Sequence, residues 1–150
     1  MTPQVVVIGG PNLGRLGRRQ PEIYGATTWP ELEARCRRWA ADLGLAVEFL
    51  QSDVEGELVG MINRAADAAD GIILNAAAYT HTSVAIRDAV AAVEIPVVEL
   101  HLTNPDSRES FRRNNLLADV VTAGVRGFGV EGYRLALEGM VSLVGIEGPG

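Results

Sequence analysis

Apolar and polar positions follow two alternating rhythms along the chain. Residues 5–8, Val5-Val6-Val7-Ile8, form a continuous β-branched run, the mark of a strand buried on both faces. The pattern then changes to helical spacing, with Leu32, Cys36, Trp39, Ala40 and Leu43 on one face. Thr28 and Glu31 have capping-box spacing, Pro30 suits a first turn, and Gly44 is a stop, so a helix is predicted over 28–43. A second strand is predicted at 45–51. Ser52 and Glu55 repeat the capping-box spacing before Leu58, Val59, Ile62 and Ala66. A third strand is expected at 71–75, a helix at 83–93 with Ser83 as N-cap, and a fourth strand at 96–100. A short helix at 108–114, a fifth strand at 120–127 and a last helix at 130–144 complete the pattern. Strand and helix alternate about five times, which predicts an α/β fold with a parallel sheet covered by helices on both faces. Ligands of such sheets bind beyond the carboxyl ends of the strands, where strand order reverses.

At 150 residues the chain is expected to form one domain, 1–150, with a frayed tail at about 146–150. Hydrophobic residues make up 47%, enough for a sizeable core. All 13 basic residues are arginine, so no side chain can form a Schiff base and no GK[ST] phosphate loop exists. The lone Cys36 and the two histidines, His81 and His101, speak against an internal disulfide or a metal centre. A net charge of −6 argues against non-specific nucleic-acid binding. No secretory signal or membrane-length apolar run stands out, so a soluble cytoplasmic protein is expected.

Three segments break the strand–helix rhythm. The stretch from Gly9 to Gly25 is longer than the usual 2–6 residues of a βα connection and carries Arg15, Arg18, Arg19 and Tyr24. It reads either as a solvated loop or as a lid, about 13–25, that brings cations over an anionic ligand. Strand three ends in Asn75 and runs into small residues, then Thr80-His81-Thr82-Ser83; His81 is a structural hydrogen-bonder or a catalyst. In the fourth strand Glu99 and His101 are two apart and share a face. They are either a buried structural pair or a carboxylate that orients an imidazole and raises its pKa, giving a general acid near neutral pH. Arg108, Arg112 and Arg113 form either a solvated face or a ligand contact.

Taken together, Gly10-Pro11-Asn12-Leu13, Gly17-Arg18-Arg19-Gln20-Pro21 with Tyr24-Gly25, Gln51-Ser52, Ala78-Tyr79-Thr80-His81-Thr82-Ser83 and Glu99-Leu100-His101-Leu102-Thr103-Asn104 closely resemble the type II 3-dehydroquinate dehydratases. So do Arg87-Asp88-Ala89, Arg108-Glu109 with Phe111-Arg112, Gly127-Phe128-Gly129 and Gly132-Tyr133. The resemblance spans roughly Val5 to Leu137. It implies a flavodoxin-like fold, no cofactor, a dodecamer of trimers, and anti elimination of water from 3-dehydroquinate through an enolate. It further implies Tyr24 as the base, with Arg19 favouring its phenolate. Ionising a tyrosine of ordinary pKa about 10 at pH 7 costs roughly 4 kcal/mol. Asn12 would stabilise the enolate, and His101, oriented by Glu99, would protonate the departing hydroxyl. Asn75 and the amides of Leu102 and Thr103 would hold the substrate carboxylate. His81 and Arg112 would bind ring hydroxyls, and Asp88 would reach in from a neighbouring subunit.

The chain departs from the family pattern at Gly9, Asn63, Ala76-Ala77, Asp106, Asn114 and Asn115, none of which carries an implied chemical role. Alternative readings are a paralogous dehydratase of an amino or deoxy analogue, a catalytically silent small-molecule-binding homologue, and, more distantly, a flavin-binding protein.

Overall fold

The computed structural model describes residues 1–145; the expected frayed tail lies outside them. Five parallel strands stand in the order β2-β1-β3-β4-β5. They are β1 (Gln4–Gly9), β2 (Ala46–Gln51), β3 (Gly71–Asn75), β4 (Val97–His101) and β5 (Ala123–Arg126). This order is the flavodoxin-like one, with its reversal between β1 and β3. The helices are α1 (Pro21–Tyr24), α2 (Trp29–Asp42), α3 (Glu55–Ala68), α4 (Val84–Ala92) and α5 (Glu131–Leu143).

Alternate strand residues feed two cores. Val5, Val7, Ile73, Val98 and Leu100 pack against Leu32 and Cys36 of α2 and Tyr133, Leu137 and Met140 of α5. Val6, Ile8, Ile72, Leu74 and Val97 pack against Leu58 and Ile62 of α3 and Ile86 and Val90 of α4. Each fully buried branched side chain contributes about 1.5–3 kcal/mol, so both helix layers are held by the same alternation. Burial pushes the Cys36 thiol up to about 12, helped by nearby Glu33, so it behaves as an apolar filler.

The Thr28–Glu31 capping box forms in both directions, at 3.3 Å each. The Ser52–Glu55 box does not. The Ser52 amide still donates to Gly9 O at 3.0 Å, so the chain has not yet left the sheet. Its hydroxyl accepts from Val54 N and donates to Glu57, and Val54 takes the N-cap position. Two further expectations shrink. The helix at 108–114 resolves into 3-10 turns at Pro105–Ser107 and Ser110–Arg113, and the fifth strand starts only at Ala123. Val120 and Val121 instead fold back on Leu117 O.

Candidate active site

Three strand ends meet at the point of reversal. After β1, Gly10 N donates to Asn75 O at 2.7 Å and ties β1 to the end of β3. A Cβ at Gly10 would stand 2.6 Å from Ala76 O, so only glycine permits this approach. Asn12 follows in the left-handed region (φ 72), a conformation asparagine tolerates. Its amide donates to Asp53 Oδ1 at 2.9 Å, while Gln51 Nε2 bonds Asp53 Oδ1 (3.0 Å) and Gly10 O (3.1 Å). The Asn12 amide, with Gln51, holds the Asp53 carboxyl below its ordinary range.

The segment from Gly9 to Gly25 is partly anchored. Leu13 and Leu16 are buried in the α2/α5 core, so any free portion begins beyond them. Arg18 N and Arg19 N both bond Arg15 O. Gln20 (φ 44) then opens α1, a single turn that ends at Tyr24 and is stopped by Gly25 (φ 85).

After β3, the Asn75 side chain is fixed by accepting from Ala77 N at 3.0 Å, which leaves its Nδ2 as a donor. Ala77 lies at φ 52, a strained value for any residue with a Cβ. A 3-10 turn, Ala77–His81, carries His81, whose Nδ1 meets Asn114 O at 2.9 Å. A carbonyl only accepts, so the proton sits on Nδ1 and Nε2 is free for a ligand. Asn114 Nδ2 returns a bond to His81 O at 3.2 Å.

At the end of β4, Glu99 and His101 are both buried, on one face of the strand. His101 Nε2 lies 3.3 Å from Glu99 Oε2, an ion-pair contact rather than an aligned hydrogen bond. Burial pushes the Glu99 carboxyl up, but His101, the Asn115 amide and the charge of Arg126 outweigh it and hold it below its ordinary value. Beyond β4, the Arg108 guanidinium stands over the Tyr24 ring at 5.4 Å, and Arg112 stands over Phe111 at 5.1 Å and pairs with Glu109.

These elements enclose a cleft of about 110 Å³. Of the residues singled out in the sequence, Asn12, Arg19, Tyr24, Asn75, His81, His101, Leu102, Thr103 and Arg112 line it. Glu99 stands behind His101 and faces a second cavity instead. Asp88 is exposed on α4 and does not reach the cleft within one chain. Arg108 lines it too, and sequence reasoning had left it undivided from Arg113, which lines the second cavity. No spacing separates the two; only the tertiary approach of Arg108 to Tyr24 does. Arg19, Arg108 and Arg112 line the cleft and no Asp or Glu does, although Glu109 pairs with Arg112 outside the lining, so a chain of net charge −6 presents a locally cationic pocket. Among the described residues no cluster of three or more His, Cys, Asp or Glu side chains could hold a metal ion, and no helix is long and apolar enough to cross a membrane.

Comparison with known proteins gives one answer at three levels. The family profile described as "Dehydroquinase class II" matches residues 3–141. The chain is 51% identical over 141 residues to the 3-dehydroquinate dehydratase of Mycobacterium tuberculosis, covering 94% of this chain and 96% of that one. It is 50% identical over 138 residues to the Jannaschia protein of the same name, covering 92% and 93%. The type II dehydroquinase of Propionibacterium acnes superposes with a TM-score of 0.92 at 42% identity, over 95% of this chain and 98% of that one.

Proposed function

Because the chain belongs to the class II dehydroquinase family, we propose that it is a hydro-lyase converting 3-dehydroquinate to 3-dehydroshikimate by anti elimination. The observation that carries the mechanism is the joining, in one cleft lined by no Asp or Glu, of a tyrosine under the Arg108 guanidinium, with Arg19 also in the lining, and a histidine backed by a buried carboxylate. Tyr24 as phenolate removes the C2 proton, and the electron pair moves into an enolate at the C3 oxygen. Arg19 and Arg108 supply the cations that favour the phenolate. Asn12, through a water, stabilises the enolate charge. The enolate then re-forms the C3 carbonyl, the C1–C2 double bond appears, and the C1 hydroxyl leaves as water with a proton from His101. With Nε2 turned to Glu99, Nδ1 is the ring atom left to deliver that proton.

Asn75 and the amides of Leu102 and Thr103 are proposed to hold the substrate carboxylate, and His81 Nε2 and Arg112 the ring hydroxyls. Asp88, exposed on α4, is proposed to act on a neighbouring subunit's cleft within a dodecamer of trimers. Closure involves residues 18–25, since Leu13 and Leu16 stay in the core.

The test is direct. Purified protein given 3-dehydroquinate should generate the ultraviolet absorbance of the conjugated enone, and silence at high enzyme concentration refutes the proposal. Tyr24→Phe should lose about 10²–10⁴-fold in kcat while still binding substrate. Full activity in that variant would remove Tyr24 from the role of base.

A further inference from the structure

Behind His101 lies a contact that the mechanism above does not use. Asn115 Nδ2 donates to both oxygens of Glu99, at 3.0 Å each. The other end of the amide is fixed, because Asn115 Oδ1 accepts from Leu117 N at 2.8 Å and Leu117 is fully buried in the α3/α4 core. A backbone N–H can only donate and an ionised carboxylate can only accept, so both contacts demand the same orientation of the amide. Leu116 N bonds Thr80 O at 2.9 Å, and the segment therefore sits rigidly against the turn that carries His81.

Nothing else holds Glu99 so squarely. Its partner on the same strand, His101, is 3.3 Å away without hydrogen-bond alignment. Across the sheet its register partner on β5 is Gly124, which has no side chain to confine it. The cavity on this side, about 450 Å³, is lined by Glu99, Arg112, Arg113 and Arg126, together with Asp106, which pairs with Arg126 at 2.7 Å, while Arg112 pairs with Glu109. Arg126, whose charge acts on Glu99, thus competes with the imidazole for the carboxylate.

We infer that Asn115 is a positioning residue for the elimination, clamping the Glu99 carboxylate toward His101 and away from Arg126 of the second cavity. The inference rests on the reading of His101 as the proton donor. Without the clamp, Glu99 turns toward Arg126, and the imidazolium of His101 is held less firmly. The alkaline limb of the kcat profile then moves to lower pH. The proposed substrate contacts within one chain line the first cleft, and the only one shared with the second cavity, Arg112, is tied to Glu109 and not to Glu99, so KM changes little.

Two variants test this. Asn115→Leu keeps the branching at Cγ and removes both the donor to Glu99 and the acceptor for Leu117 N. Asn115→Asp keeps the shape and the acceptor for Leu117 N but sets a carboxylate oxygen against Glu99, so it replaces the clamp by repulsion even where Asn115→Leu does not fold. The expected result is kcat about tenfold lower in both with KM within about twofold, from the loss of a charge-assisted hydrogen bond. In Asn115→Leu the alkaline limb should also move down by about one pH unit. Wild-type kcat in a folded Asn115→Asp overturns the inference. So does a lowered Tm in Asn115→Leu with an unmoved or raised limb, which would mark a role in folding only. His101→Ala separates the two levels. If it retains wild-type kcat, the reading of the proton donor and this inference fall together; if it is inactive and the Asn115 variants behave as wild type, the inference falls alone.

Discussion

Replacing Gly10 by alanine puts one methyl group where the two central strands converge. Its carbon would stand 2.6 Å from Ala76 O, 2.7 Å from Ala76 C and 3.1 Å from Ala76 Cα. A carbon and a carbonyl oxygen rest at about 3.3–3.6 Å, so the overlap is about 0.7–1.0 Å. The obstacle is backbone, and no rotamer change removes it. Either Gly10 or Ala76 must move, and the 2.7 Å bond from Gly10 N to Asn75 O lengthens with them. Overpacking of this kind costs about 2–3 kcal/mol, which for a chain of this size lowers Tm by roughly 4–12 °C. The same shift displaces Asn12 and Asn75, which flank Gly10 and Ala76. A misplacement near 1 Å costs up to about 10²-fold, so kcat/KM should fall by about 10–100-fold. Differential scanning fluorimetry and the enone absorbance assay read the two effects. Gly14→Ala is the control: its methyl meets only the movable end of Gln51, at 3.1 Å, and should cost under about 1 kcal/mol. A Gly10→Ala protein with wild-type Tm and kcat/KM would refute the close-approach argument.

Ala77 carries the opposite expectation, since its φ of 52 penalises a Cβ by about 1–2 kcal/mol. Ala77→Gly recovers more than it loses in unfolded-chain entropy, about 0.4–1 kcal/mol, and should raise Tm by about 1–4 °C; a fall in Tm would count against it. Glu99 makes stability depend on pH, because its carboxyl is held below the ordinary value of 4.5 in the folded chain. The stabilisation is complete above the unfolded value and is lost as pH falls through the lower folded one. The difference in urea midpoint between wild type and Glu99→Gln should therefore shrink from pH 6 toward pH 3, and a constant difference would show that the carboxylate does not carry it.

The fold was legible because each buried strand is a run of branched apolar residues and each helix shows its own period. Two failures have local causes. Thr28–Glu31 and Ser52–Glu55 have identical spacing, yet only the first caps a helix. At Ser52 the chain is still bonded to Gly9 in the sheet, so Glu55 falls at the first helical position instead of the third. Val120 and Val121 read as strand because apolarity is the signal. They pack against the α3/α4 core from a turn, and sequence alone does not distinguish the two. In the site, Glu99 and His101 were legible through the two-residue strand period. Arg108 and Asn115 were not, because each acts across a long loop, on Tyr24 and Glu99 respectively, and no local period records such an approach.

The absence of lysine gives the cleft a property that can be used. Its cations, Arg19, Arg108 and Arg112, are guanidinium groups, which stay charged at any working pH. The field around a bound anion is therefore constant across the range in which activity is measured. The cleft's other titratable side chains are Tyr24, His81 and His101. His81 spends its Nδ1 proton on Asn114 O and leaves Nε2 for the proposed ring-hydroxyl contact, so its substitution should weigh on KM. Tyr24 and His101 are the proposed proton carriers, so their substitution should weigh on kcat. A change in Asn115 that moves a limb of kcat and spares KM then has one route to the chemistry, through Glu99 to His101. The fixed arginine field makes that route separable from a general change in electrostatics.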